Sequence, residues 1–499
     1  MELQFNKTAM PCLQQILKQT QTQEQTQEVR LPENMPDIGS VIACWAQPII
    51  RGKEWHNDAV SVSGGIMAWV LYAPEDAGAE QTVSAWLPFQ MKWDIPESRH
   101  DGTVLAEPFL RSVDARSLSA RKLMVRANIG ICAEALVPDE ATLYVPDEMP
   151  ADIRLLKRTY PVRIPVESGE KAFQIEEDLT APGTMPPPDQ VLRYSLYPEL
   201  AEWKLMADKV VFRGNACVHV LYRGTDGQIY SWEQEIPFSQ FADLDREYAP
   251  EASAGVIPVV TNLEMEMGED DTFRMKAGIS GQYTIYDRPN IEIVEDVYSP
   301  DRTVTPQITE FMLPTVLDEQ NQIFHVEQTI EADAAQVLDL AFYPDCPQQI
   351  YQGDSVRIQL PGTFQLLYRD GNGAVRSTGA YWEESGQMKI EPDLIVQTNV
   401  RPGGKPIGTF SGNGISMQAD LQTDTRIRSR NGMPMVTALQ IGEEKKKDEN
   451  RPSLILRKAE ENSLWELAKL TGSTVEKIKD ANGLTGEPDP NRLLLIPIP

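Results

Sequence analysis

The sequence predicts a mainly β protein with three repeated antiparallel β-sandwich-like modules followed by a small βααβ domain. Three observations predict this fold class. Apolar and polar residues alternate without a break from Val210 to Tyr222, the period expected of a strand with one buried face. The same pattern returns 150 residues earlier and 146 residues later, ending each time in Leu-Tyr. From residue 453 onward the spacing of apolar residues changes to that of two short helices between strands.

The repeat is the strongest of these observations. The apolar face of the central strand is predicted to consist of Val210, Phe212, Gly214, Ala216, Val218, Val220 and Tyr222. A second alternating strand also occurs three times, beginning at Leu123, Phe273 and Ile415. Copies at a nearly constant spacing indicate copies of one structural unit. Each apolar face must pack on another sheet, and we expect the opposite, polar face to meet water.

The repeat sets the domain boundaries. We expect β modules at residues 1–155, 156–305 and 306–442, a charged linker at 443–452 and a terminal domain at 453–499. A chain of 499 residues fits three or four domains of about 150 residues each. The segment GEEKKKDEN from Gly442 to Asn450 has no apolar residue, which is typical of a solvated linker.

The composition limits the classes of partner and cofactor that we expect. The net charge is −28, from 74 acidic and 46 basic side chains, which argues against nucleic acid or an anionic membrane surface as the main partner. Five scattered cysteines without a CxxC pair indicate free thiols in a reducing cytosol, and four histidines do not favour a histidine metal site. We therefore expect no metal and no cofactor. No secretory signal and no apolar run approaching about 18 residues is visible, so neither export nor a membrane span is expected.

Local signals place the remaining elements of the modules. The polar segment from Gln19 to Glu28 predicts a polar edge strand or a frayed arm, and the same place in the later copies favours the strand. A Pro-acid step at Pro36-Asp37, Pro198-Glu199 and Pro344-Asp345 predicts a sheet edge or a corner in each copy, because proline lacks a backbone donor. Asp226-Gly227 predicts the central hairpin turn. The proline-rich stretch 181–188 predicts a stiff loop between the first two copies.

The last residues show the signals of a βααβ unit. Leu454–Leu456 predicts a strand, and Ser463–Glu466 is a capping box that starts a helix. Ser473–Glu476 predicts a second capping box. Asn482-Gly483 predicts a left-handed helix end, and Leu493–Ile496 predicts the closing strand.

This unit, from Leu454 to Pro497, resembles a LysM domain, a module that binds N-acetylglucosamine polymers in peptidoglycan or chitin. The resemblance is carried by Asn462-Ser463-Leu464-Trp465 with Ala468, by Asn482-Gly483-Leu484, and by Leu494 to Pro497. It implies a groove between two loops. Its hypothetical binding residues are Glu461, Asn462, Ser463, Leu464, Trp465, Asn482, Gly483, Leu484 and Asn491.

Glu461 and Asn491 stand where the LysM family has glycines, and both touch the loops beside the groove. Two roles stay open for Trp465, core packing or an interface anchor, since tryptophan is enriched at binding hot spots. The groove could hold an N-acetylglucosamine polymer or a protein.

The repeated modules resemble the SPOCS domain of sporulation proteins over most of residues 25–440. The motif LPENMPDI from Leu31 to Ile38, the strands ending in Leu-Tyr, and Ile236-Pro237-Phe238 carry this resemblance. Three such modules followed by a LysM domain resemble a family of spore-coat morphogenetic proteins. That resemblance implies a place in the mother-cell cytoplasm at the forespore surface, and a LysM domain that grips the coat-basement ATPase.

The resulting functional prediction is a non-enzymatic scaffold of the spore envelope. No nucleophile elbow, P-loop, HExxH or zinc-type cysteine spacing is present, and no acidic pair stands in a recognisable glycosidase motif. His219 lies on the polar face of the central strand, where an exposed or hydrogen-bonded histidine is expected. The alternative is a cell-wall protein whose LysM domain binds peptidoglycan sugar and which partners a hydrolase. The missing export signal argues against this alternative.

Overall fold

A computed structural model describes residues 2–56, 58–76, 78–95, 102–313, 315–411, 414–429, 432–445, 452–459 and 463–498. These residues form 27 β-strands and two α-helices, which confirms the prediction of a mainly β protein. The strands pair antiparallel throughout the described sheets.

The first part of the chain contains seven strands: β1 (Glu2–Gln4), β2 (Asn6–Arg30), β3 (Ile38–His56), β4 (Ala59–Pro74), β5 (Gln81–Asp94), β6 (Thr103–Ser119) and β7 (Lys122–Val145). Eight strands follow: β8 (Arg154–Pro161), β9 (Ile164–Leu179), β10 (Pro188–Met206), β11 (Lys209–Gly224), β12 (Ile229–Asp243), β13 (Ser253–Met267), β14 (Phe273–Asp287) and β15 (Asn290–Tyr298).

The third part contains ten strands: β16 (Arg302–Phe311), β17 (Val316–Glu331), β18 (Ala334–Pro344), β19 (Gln348–Gln352), β20 (Ser355–Asp370), β21 (Val375–Lys389), β22 (Leu394–Pro402), β23 (Ile407–Ser411), β24 (Gly414–Ser429) and β25 (Met433–Glu444). The C-terminal unit contains β26 (Leu454–Lys458), α1 (Leu464–Thr471), α2 (Val475–Asn482) and β27 (Leu493–Pro497).

Three groups of strands share one topology. Module 1 pairs the sheet β3-β4-β5 with β2-β7-β6, and module 2 pairs β10-β11-β12 with β13-β14-β9. Module 3 has β18-β20-β21 and β17-β24-β22, with the short strands β19 and β23 added to β20 and β24. In each module the two sheets contribute to one core, because the alternating apolar faces meet there. The polar segment after Gln19 lies in β2, an edge strand as predicted.

A tyrosine hydroxyl ties a proline loop to the central strand in two modules. The hydroxyl of Tyr72 donates to the Pro36 carbonyl at 3.0 Å, and that of Tyr222 donates to the Pro186 carbonyl at 2.9 Å. A buried tyrosine needs such a partner for its hydroxyl, and both of these buried tyrosines have one. The loop containing Pro186 joins β9 to β10 inside module 2, so its predicted position between two copies is wrong.

The Pro-acid step of the first copy is also misplaced, whereas the prolines of the other two steps lie in edge strands, as predicted. Pro198 and Pro344 face Ala216 and Gly362 of their central strands, and the equivalent residue of module 1 is Pro48, which faces Ile66. Pro36 instead lies before β3, in the loop held by Tyr72.

The three modules bury a common core on the faces that were expected to meet water. Trp45, Trp69 and Leu71 of module 1 pack with Leu221 of module 2 and Leu367 of module 3, all at 3% exposure or less. The expectation of solvated polar faces is wrong here because each module covers the outer sheet face of its neighbours. Each large apolar side chain buried in this way contributes about 1.5–3 kcal/mol to the stability of the folded chain.

A buried charge pair links modules 2 and 3. The Arg193 guanidinium lies 2.6 Å from the Asp339 carboxylate, and His219 Nε2 approaches the other oxygen of that carboxylate at 2.8 Å. Burial acts to raise the pKa of Asp339, but the charges of His219 and Arg193 outweigh it and hold the pKa below its usual value. Arg193 and Asp339 occupy equivalent positions in modules 2 and 3, and Ala43 occupies that position in module 1. The charge pair therefore distinguishes the boundary between modules 2 and 3 from the other module boundaries.

The segments before, between and after the modules form a fourth unit, which we call the hub and define as β1, β8, β15, β16 and β25. Strand β25 pairs with β1 and β16, and β15 pairs with β8. Their apolar residues, among them Val294 and Leu439, share a core with Phe5, which directly follows β1. The predicted module boundaries include these segments, whereas within the described sheets their strands pair only with each other.

Candidate functional site in the C-terminal unit

The C-terminal unit is a two-stranded sheet with two helices against one face. Strands β26 and β27 pair antiparallel from Leu454–Pro497 to Lys458–Leu493. Their inward residues pack with both helices, and the core of the unit includes Leu464, Leu467 and Ile478. The outward residues Leu454, Leu456, Leu493 and Leu495 stay exposed.

Helix α1 begins as predicted. The Ser463 hydroxyl accepts a hydrogen bond from the Glu466 amide at 3.2 Å, and the Glu466 carboxylate accepts one from the Ser463 amide at 2.8 Å. These two bonds confirm the first capping box. Helix α2 instead has Thr474 as its N-cap, and the Thr474 hydroxyl accepts from the Lys477 amide. The second predicted box is therefore wrong by one position, and its third helical residue is Lys477 rather than a glutamate that could reach back.

The structure brings several of the predicted groove residues to the ends of the helices and of β27. Leu464 is fully buried, and its amide donates to the Glu487 carboxylate at 2.9 Å, which connects the two loops of the predicted groove. Glu461 and Asn462 lie outside the described residues. Glu487 was not predicted, since one carboxylate in a polar loop gives no sequence signal.

The second loop is fixed by Asn482. Its side-chain amide donates to the Leu495 carbonyl at 2.6 Å, and its side-chain oxygen accepts from the Leu495 amide at 2.8 Å. Gly483 has φ of +62°, the left-handed end predicted for α2. Leu484 packs at the edge of the core, and the Asn491 amide donates to the Asp489 side chain at 2.9 Å. Asn491 is not among the non-glycine residues with positive φ in the described chain.

Trp465 connects the C-terminal unit to the hub. Its indole nitrogen donates to the Asp296 carboxylate at 2.8 Å, and its ring meets Tyr298 edge to face with centroids 4.7 Å apart. Lys469 of the same helix lies 2.7 Å from Asp296. Trp465 therefore packs against the core of the C-terminal unit and also contacts strand β15 of the same chain, while a role as an anchor for a partner stays a prediction.

Tyr298 belongs to the core of the C-terminal unit although it lies in the hub. Its side chain is 5% exposed, and its hydroxyl donates to the Ser473 carbonyl at 3.1 Å. Burial, followed by the nearby charge of Glu476, raises the pKa of Tyr298 to about 12. The hydroxyl consequently keeps its proton at neutral pH and remains a donor. Neither Asp296 nor Tyr298 was predicted, because nothing local to β15 indicates a distant helix.

The cysteines and the potential metal ligands of the described residues do not form a second candidate site. The five cysteines are free, and burial raises the pKa of Cys132 to about 11 and that of Cys217 to about 12, which disfavours the reactive thiolate. Within the described ranges, no three His, Cys, Asp or Glu side chains cluster as metal ligands would. Neither α1 nor α2, the two helices of the described residues, is long and apolar enough to cross a membrane.

These features define a multi-module β protein with a small terminal unit docked on a hub. A family model described as SipL, SPOCS domain, matches residues 187–267, which comprise strands β10 to β13 of module 2. This match supports a relationship of this part of the chain to the SipL-like SPOCS family. No curated protein and no solved structure matches the chain. The resemblance of the C-terminal unit to LysM stays a prediction.

Proposed function

We propose that this chain is a non-enzymatic, SipL-like scaffold of the spore envelope whose C-terminal unit holds a coat-basement protein, an ATPase. The observation that carries the proposal is the match of residues 187–267 to the SPOCS domain of sporulation proteins. In this proposal the three packed modules provide a rigid body, and the C-terminal unit provides the grip. The place of action is the mother-cell cytoplasm at the forespore surface.

The geometry of the C-terminal unit favours a protein over a sugar as its ligand. A sugar in the predicted groove would use backbone donors of the two loops, but the Leu464 amide is already bound by Glu487. The Trp465 indole is likewise bound by Asp296. Buried polar groups that already have partners gain little from a new ligand.

The outward face of β26 and β27 supports the same choice. Leu454, Leu456, Leu493 and Leu495 are 38–60% exposed and lie on one side of the paired strands. A contiguous apolar patch of this kind is typical of a protein interface. We propose that this leucine face meets the coat-basement protein.

Two experiments test the proposal. A fluorescent fusion followed through sporulation should localise at the forespore surface, and localisation at the cell wall would contradict the proposed compartment. Calorimetry of the full chain should give binding to the coat-basement protein and none to chitopentaose. Micromolar sugar binding without protein binding would instead support the peptidoglycan-binding alternative.

A matched pair of variants tests the leucine face. Leu456→Asp places a charge in the centre of this face and should weaken the complex at least about tenfold, since hot-spot contacts contribute about 2 kcal/mol or more. Leu470→Asp makes the same change at a helix position that is 65% exposed and lies outside the face. Equal loss of binding in both variants would contradict the proposed surface.

A further inference from the structure

One end of the core of module 3 lacks a segment that covers the same end of modules 1 and 2. The segment between β2 and β3 spans residues 31–37, and the segment between β9 and β10 spans residues 180–187. In module 3 the corresponding segment, between β17 and β18, consists of residues 332 and 333 alone. The core of module 3 is therefore left without this cover.

The two covering segments share the motif Pro-x-x-Met-Pro. The Met35 amide donates to the Pro32 carbonyl at 3.1 Å, and the Met185 amide donates to the Pro182 carbonyl at 2.8 Å, so both motifs form a turn. Met35 and Met185 pack against the cores of modules 1 and 2. The turn and its methionine thus close this end of a module.

Two donors of the central hairpin hold the turn in modules 1 and 2. The central tyrosine donates through its hydroxyl to the carbonyl of the second proline of the motif. The next carbonyl, that of Asp37 or Pro187, accepts from the backbone amide of Glu75 or Thr225 at 2.9 Å in both modules. Two consecutive carbonyls are therefore bound.

The counterparts of these donors in module 3 are the Tyr368 hydroxyl and the Gly371 amide, at the same positions relative to the Leu-Tyr pair. Tyr368 packs against the core of the module, but its hydroxyl has no acceptor within the described residues. The Gly371 amide likewise has none within these ranges. Module 3 therefore presents both donors without the turn that they would hold.

An aromatic residue at this end is exposed on the core face of its sheet. Phe410 lies directly opposite Ile415 in the pair of β23 with β24, and opposite residues point to the same face. Ile415 is fully buried in the core of module 3, but Phe410 is 57% exposed. Because the core face of a sheet is normally covered by another layer, the exposure of Phe410 marks the place of the missing cover.

The charge at this end favours a basic segment as its cover. In module 1, Arg121 of the hairpin between β6 and β7 binds Asp37 of the covering segment at 2.9 Å. The corresponding hairpin of module 3, residues 411–414, has the sequence SGNG and no cation. Glu331 pairs with Gly414 beside this hairpin and is exposed, as is Asp333, and neither forms an ion pair within the described residues.

We propose that the uncovered end of module 3 binds a Pro-x-x-Met-Pro turn of a partner protein, with lysine or arginine beside the motif. The methionine would cover the core beside Phe410, and two consecutive carbonyls would accept from the Tyr368 hydroxyl and the Gly371 amide. The basic side chains would pair with Glu331 and Asp333. The inference does not depend on the proposed grip of the C-terminal unit.

A second copy of this chain has no free motif among its described residues. The turns that contain Met35 and Met185 already cover modules 1 and 2. A third Pro-x-x-Met-Pro, at residues 146–150, places Met149 against the core of the hub. The proposed partner is therefore a different protein.

The test is fluorescence anisotropy of a labelled peptide titrated with the full chain. The peptide LPKNMPKI is the segment Leu31–Ile38 with its two acidic residues replaced by lysine, and the scrambled peptide KPIMLNPK has the same composition and charge. LPKNMPKI should bind saturably, and the scrambled peptide should bind at least about tenfold more weakly. Equal binding of both would show only the attraction of cations to a chain with net charge −28 and would overturn the proposal, as would no saturable binding of LPKNMPKI.

Matched variants locate the binding surface. Phe410→Ser should weaken peptide binding about tenfold or more, and Tyr368→Phe should weaken it about fivefold, the effect of one neutral hydrogen bond. Phe241→Ser makes the same change at an exposed strand position of module 2 and should leave binding unchanged. Equal losses in Phe410→Ser and Phe241→Ser would refute the site. Self-association that Phe410→Ser abolishes, without peptide binding, would assign the surface to a second copy instead. Unchanged melting temperatures control for folding.

Discussion

Replacing Tyr298 by alanine should release the C-terminal unit from the hub. The side chain is 5% exposed, packs against Trp465 at 4.7 Å between ring centroids and donates to the Ser473 carbonyl at 3.1 Å. Removing a buried aromatic residue costs about 3–5 kcal/mol. At 3 kcal/mol, the ratio of docked to undocked molecules falls by about two powers of ten.

Hydrogen exchange of the full chain measures this release directly. In Tyr298→Ala, the amides of α1 and β15 should exchange faster, while those of module 1 should not change. Tyr298→Phe removes only the hydroxyl and should account for about 1 kcal/mol of the total. Tyr381→Ala removes the same side chain from a position that is 62% exposed and serves as the control. Unchanged protection of α1 and β15 in Tyr298→Ala would refute the view that Tyr298 completes the core of the terminal unit.

Three further predictions concern the modules. Asp339→Asn should destabilise the chain by about 3–5 kcal/mol in urea unfolding, because it leaves two buried cationic neighbours without their carboxylate. Because folding lowers the pKa of Asp339, its contribution to the free energy of unfolding should be complete above the ordinary pKa of 3.8 and be lost as the pH falls toward the lowered pKa. The free energy of unfolding of Asp339→Asn should therefore depend less on pH in the acid range than that of the original chain. Tyr222→Phe should cost about 1 kcal/mol, whereas Tyr368→Phe, whose hydroxyl has no hydrogen bond within the described residues, should cost almost nothing; equal losses would contradict the tyrosine tie. Gly214→Ala should lower the melting temperature, because a Cβ there would lie 2.0 Å from a backbone oxygen, while Gly386→Ala meets nothing within 4 Å and should be tolerated; the reverse order would disprove the close approach.

The predictable part of the fold is the part that depends on residues near each other in sequence. Alternation from Val210 to Tyr222 identifies a strand because side chains of a strand point to opposite faces in turn. The apolar face could be assigned correctly, since Val210, Phe212 and Val220 are fully buried. The polar face could not be assigned, because alternation does not reveal that another module covers Leu221 and His219.

The same distinction applies to the candidate site. Ser463 and Glu466 lie three residues apart, so their reciprocal bonds could be predicted from the sequence. Trp465 and Asp296 are separated by 169 positions, and no local pattern in either segment indicates the other. A cavity that is lined by residues of all three repeats could not be predicted for the same reason.

The smallest strand of the hub has a consequence for how the chain is made. Residues Glu2–Gln4 pair with Ala438–Gln440, so β1 finds its partner only after the modules between these two segments have been synthesised. Each module can fold locally as it leaves the ribosome. Leu3 can pair only later, because the pairing of β1 with β25 has the longest sequence separation in the described sheets. A prematurely terminated chain would leave Phe5 without Val436 and Leu439, its neighbours in the hub core. The hub core is therefore complete only when strands from both sides of the three modules are present.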